Sequence, residues 1–173
     1  MTTYDSPLRA IQESTLAAIL AIDDVTSAIA VPPWRLFKPP PPVGEMIEVK
    51  PDSMPPSYPG AVLSLWEEHV VPDGEPQQQY GQIVVIYKVP VTVCFYATSD
   101  GSDLHEARFR ALKIAQAAHI TLPLFTPTGF PANSAAFGPL GPGSWWTIPM
   151  DPSRGGVMLD FTARYQVAAS LPI

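Results

Sequence analysis

The chain has one cysteine, Cys94, among its 173 residues, which excludes an intramolecular disulfide and a metal cluster built from cysteines. Cys94 sits inside the apolar run "VTVCFYA", where a small buried hydrophobe is its expected role. Charge is scarce too. Only 15% of residues are charged and 46% are apolar, a balance that excludes a charge-rich disordered chain. Basic residues are the rarer kind, ten Lys plus Arg against sixteen Asp plus Glu for a net charge of −6, the wrong sign for gripping phosphate backbones. No apolar run reaches the roughly 20 residues of a membrane span. The start, "MTTYDSPLRA", lacks a basic segment followed by an apolar one, the mark of secretion. A soluble protein that folds in a cytosol, with no membrane partner, is the expectation.

Chemical signatures are also missing. The sequence holds no G-x-S-x-G, no G-x-x-x-x-G-K and no H-E-x-x-H, the local patterns of a nucleophile elbow, a phosphate loop and a zinc protease. Its three histidines, His69, His105 and His119, show no ligand spacing. Neither a metal nor a cofactor is expected.

Proline is abundant. The chain has 22, well above the average usage of about 5%, and they cluster. Residues 31–59 hold ten prolines and as a whole form neither a helix nor a central strand; only "EMIEVK" could pair, and "VTSAIAV" just before could be a short strand. The run Pro39 to Pro42 favours polyproline II and reads as a stiff spacer, with docking to an SH3-like domain as the functional alternative. Residues 120–156 hold seven prolines, six glycines and the aromatics Phe125, Phe130, Phe137, Trp145 and Trp146. A stretch this long without regular structure is functional, ordered by a partner, or disordered, and its aromatics argue against simple disorder.

Between and around these segments the periodicities are clear. Ser6 is a helix cap with Pro7 in the first helical position, followed by Leu8, Ile11, Thr15, Ala18 and Ile22 at spacings of three and four; Asp23 and Asp24 oppose continuation past that point. "AVLSLWEEHVV" and "QIVVIYKVPVTVCFYAT" read as two strands joined as a hairpin through the loop "PDGEPQQQYG". Within the second strand Pro90 implies an edge, a bulge or a division, and "IVVIY" is apolar on both faces. "LHEARFRALKIAQAAH" is a second amphipathic helix. Its stripe of Leu104, Ala107, Ala111, Ile114, Ala115 and Ala118 suits close packing on a sheet, with Glu106, Arg110 and Lys113 opposite. In "GGVMLDFTARYQVAAS" the series Val157, Leu159, Phe161, Ala163, Tyr165, Val167 alternates with polar positions, the pattern of a half-buried strand. No internal repeat is present. The expectation is one α+β domain over 1–173, an antiparallel or mixed β-sheet covered by two α-helices, with long Pro-rich loops.

The densest set of reactive groups is "TSDGSDLHEA", residues 98–107, with Asp100, Ser102, Asp103, His105 and Glu106. A small hydrolase using Asp100, Ser102 and His105 is one reading. The simpler one is a turn after a strand, a Ser102 helix cap, and acidic residues in the first helical turn. Glu106 then pairs Arg110 at i, i+4, and His105 is an exposed first-turn residue. The aromatics of the Pro-rich loops, Trp34, Phe125, Phe130, Phe137, Trp145 and Trp146, carry a different signal, because Trp and Tyr are enriched at binding hot spots. They are the candidate subunit or partner interface.

The order of elements, an N-terminal amphipathic helix, the Pro-introduced strand "YPGAVLSLWEE", the long strand "IVVIYKVPVTVCFYAT", a helix from "LHEARFRALKIAQ" and the final strand "VMLDFTARYQV", resembles the tail terminator, or tail completion, proteins of tailed bacteriophages. The resemblance implies a structural protein of the virion, assembled in the host cytoplasm as a hexameric ring. The ring would cap the tail tube or sheath, stop its polymerisation and meet the neck and head-completion proteins. DNA would pass through an acidic lumen without specific binding. The family has no catalytic residues to carry over. A head-tail joining protein or a tail tube subunit is the alternative within the same class.

Overall fold

Ser6 opens the first helix as expected: its Oγ accepts from Arg9 N–H at 3.2 Å, and Pro7 takes the position where a missing N–H costs nothing. The computed structural model describes residues 2–22, 60–65, 69–98, 105–148 and 154–170. Helix α1 spans Pro7–Leu20 and ends at the Ala21 cap, just before Asp23 and Asp24. Its buried face centres on Ile11, Thr15 and Ile19, while Leu8, Leu16, Ala18 and Ile22 are partly buried against the core.

The strands are β1 (Gly60–Leu65), β2 (Val71–Pro72), β3 (Gln77–Gln79), β4 (Gln82–Thr98), β5 (Ser134–Ala136), β6 (Ser144–Ile148) and β7 (Arg154–Ser170), with helix α2 (Glu106–Thr121) and a 3-10 turn at Leu122–Leu124 between β4 and β5. They make one sheet whose described pairings are all antiparallel. Its spine is the β4–β7 pair, matched along the whole length of both strands from Gln82↔Ser170 to Thr98↔Arg154. Short strands line the flanks: β1, β2 and β3 along β4, and β5 and β6 along β7. The α+β architecture, an antiparallel sheet with two helices, is as the sequence implies.

One face of the spine makes the core. Cross-strand partners share a face, so Val89, Val91, Val93 and Phe95 lie beside Ala163, Phe161, Leu159 and Val157, all of them buried. Each of these Val, Leu and Phe side chains contributes roughly 1.5–3 kcal/mol by leaving water. Helix α2 lies on this face with Ala107, Ala111, Ala115 and Ala118 buried. The approach is close enough that a Cβ on Gly155 would run into the backbone of Ala107 and Arg108. On the opposite face Thr92 donates to Asp160 Oδ1 at 2.7 Å, and Cys94 is fully buried, the small-hydrophobe role its surroundings predict.

Four expectations are corrected. Pro90 neither edges nor divides its strand: β4 is continuous and central. It lies opposite a break in the flanking lane, since β1 ends at its pairing with Val91 and β2 begins at Lys88, so no ladder hydrogen bond is asked of Pro90 on that flank. The loop "PDGEPQQQYG" is not all loop; β3 forms within it and turns directly into β4 through Tyr80 and Gly81. The segment 120–156 is not without regular structure, because α2 runs into it and the 3-10 turn, β5 and β6 follow. Long-range hydrogen bonds organise it, including Phe137 N–H to Arg164 O, Ala168 N–H to Asn133 O and Leu140 N–H to Phe125 O. The expected strand at "VTSAIAV" and the segment 31–59 with "EMIEVK" lie outside the described residues; Ser102 does too, but α2 begins at Glu106 with His105 in the cap position and no side-chain cap hydrogen bond, which corrects the expected Ser102 cap.

Candidate functional site

Of the hydrolase candidates, Asp100 and Ser102 lie outside the described residues, and His105 is exposed at the start of α2. His105 meets Phe109 edge to face, ring centroids 6.1 Å apart. Glu106 and Arg110 form the expected i, i+4 ion pair. Among the described residues no group of three or more His, Cys, Asp or Glu converges as a metal site would require, and no helix is long and apolar enough to cross a membrane.

The structure divides the aromatic candidates. Phe125 and Phe130 pack back on the core, with the Phe130 ring 6.4 Å from that of Tyr165. Phe137 remains 46% exposed and Trp145 49%. The backbone of Trp146 pairs with Met158 in β6, its side chain falls outside the described set, and Trp34 lies outside it altogether.

Trp145 stands at the rim of a cleft. It pairs with Leu159, which puts it on the α2 side of the sheet, and the space between helix and strands is lined by Leu112, Ala115, Gln116, His119, Ile120, Val157 and Leu159 together with Trp145. The cleft holds about 290 Å³. Its walls are apolar except for Gln116 and His119, whose Nδ1 is buried without a hydrogen-bond partner. Phe109 and Ile120 continue the apolar surface along α2 and are both exposed. Sequence reasoning missed this face although the signal was present: Phe109, Leu112, Gln116 and Ile120 recur at three, four and four, a second stripe beside the alanines.

A second feature lies at the far end of the spine. There the strands carry "IVVIY", half-buried or exposed rather than enclosed, steadied by the stacked rings of Tyr87 and Tyr165 at 5.3 Å. Arg164 also reaches Asp73 at 2.8 Å. Burial, and secondarily the neighbouring Tyr87, raises the pKa of Tyr165 above 10.0. At the tip, Tyr80 and Gly81 form a two-residue turn with φ of 48° and 76°, the left-handed pair of a type I′ hairpin. Asn, Asp or Gly is usual there. A tyrosine in this conformation is an outlier, and its side chain is fully exposed.

Neither the protein-family models nor the curated proteins include a match to this chain.

Proposed function

We propose that the chain is a structural protein of a phage virion that assembles into a ring at the head-proximal end of the tail, ends tail polymerisation and joins the tail to the neck. The observation that carries the reading is apolar surface left exposed, among the described residues, at two separated places along the β4–β7 spine: Tyr80 and Ile83 at the hairpin end, and Trp145, Phe109 and Ile120 beside α2. Contiguous exposed apolar surface marks association sites, and two of them on one chain suit a subunit with two neighbours. The order of elements supports the phage assignment by resemblance, and the acidic balance suits a lumen that passes DNA without holding it. Tail tube or sheath protein would lie on one side of the ring and neck or head-completion proteins on the other.

Electron microscopy of the purified protein and of virions tests this. Discrete rings, with the protein at the head-tail junction, are expected. Open-ended tubes would favour a tube subunit instead, and a strict monomer absent from virions would overturn the proposal.

A further inference from the structure

The tip presents an exposed aromatic and the cleft an open apolar space, and on one chain they cannot meet. From the Tyr80 turn, β4 runs to Phe95, which pairs with Val157 in the cleft wall, a span of roughly 40 Å at about 3.3 Å per residue. We infer that Tyr80 of one protomer seats in the α2–β6 cleft of a second copy, a deepening that rests on the ring reading. The turn fixes Tyr80 at the end of a hairpin, in a backbone conformation costly for a bulky residue, and a rigid aromatic loses little entropy on docking. Trp145 at the rim supplies a ring for it to stack on. The cleft's Gln116 offers a polar side chain near the phenol.

Because knob and hole lie at opposite ends, the contact is head-to-tail, and such contacts close into rings or run on as filaments. Size decides how it assembles. A tyrosine buries about 150–250 Å², far below the roughly 800 Å² per partner of a standard stable interface. An isolated dimer held by this contact is therefore weak, whereas in a closed ring every protomer makes the contact twice and the last closure is intramolecular. Monomers and closed rings, with few species between, are the expected population.

Sedimentation of the full chain over a range of concentrations tests the inference. Glycine accepts the backbone angle at position 80, so Tyr80→Gly should keep its unfolding temperature or raise it while moving the assembly midpoint at least tenfold higher. Trp145→Ala should move it in the same direction. If wild type forms rings that Tyr80→Gly leaves unchanged, the knob is wrong and the ring reading survives. The knob is equally wrong if Trp145→Ala alone weakens the ring, since another segment then fills the cleft. A chain that stays monomeric at every concentration overturns the knob, and if it is absent from virions as well the ring reading falls with it.

Discussion

Thr15 is buried in α1 with no partner for its hydroxyl, and an unsatisfied buried polar group costs stability that an apolar side chain of the same shape recovers. Thr15→Val should therefore stabilise the protein by about 1 kcal/mol, read as a higher denaturant midpoint with an unchanged slope. Tyr165 gives a pH dependence. Its folded pKa lies above 10.0, chiefly through desolvation, so the fold favours the neutral phenol. That contribution is fully present below the unfolded value of about 10 and is lost as pH rises toward the folded value. Stability should fall in alkali above about pH 10, and Tyr165→Phe should remove that part of the fall in unfolding curves at pH 9 and 11. Both residues were legible as members of apolar patterns. That Thr15 lacks a partner and that Tyr80 has positive φ were not, because neither leaves a trace in periodicity.

At the scale of elements, α2 rests on the sheet through small residues, and at Gly155 the approach leaves no room for a Cβ. Gly155→Ala places a methyl group against the helix backbone and should destabilise by about 1–3 kcal/mol, the usual cost of overpacking, visible as a lower thermal midpoint. The alanine stripe, the Ser6 cap and the alternation of β7 could all be read from sequence, since each is set by residues within a few positions of one another. Pro90 was misread because its tolerance depends on where a neighbouring lane breaks, a fact held by β1 and β2. The 120–156 segment was misread for the same reason: prolines remove local periodicity, but β5 and β6 take their hydrogen bonds from β7. The cleft escaped notice because one helix carries two adjacent stripes, and the alanines account for only one.

For the whole molecule, charge is the term that composition supplies directly. Each protomer carries −6, so bringing copies together costs electrostatic work that salt screens over a Debye length of about 30 Å at 0.01 M and 8 Å at 0.15 M. Self-association through an apolar knob should accordingly strengthen as salt rises across that range, measured as a falling assembly midpoint by sedimentation. A contact held mainly by ion pairs would weaken instead.

The spine also sets a timetable. Every pairing in the β4–β7 ladder joins residues far apart in the chain; Thr92 and Asp160, linked by a hydrogen bond, are separated by 68 positions. Such high contact order places folding in the slow regime, milliseconds to seconds for domains dominated by non-local pairing. During synthesis at about 5–20 residues per second, β4 must wait several seconds for β7 to emerge from the ribosome. Until then the cleft has no floor, since Val157 and Leu159 belong to β7. A nascent chain can therefore offer the Tyr80 hairpin before it can accept one.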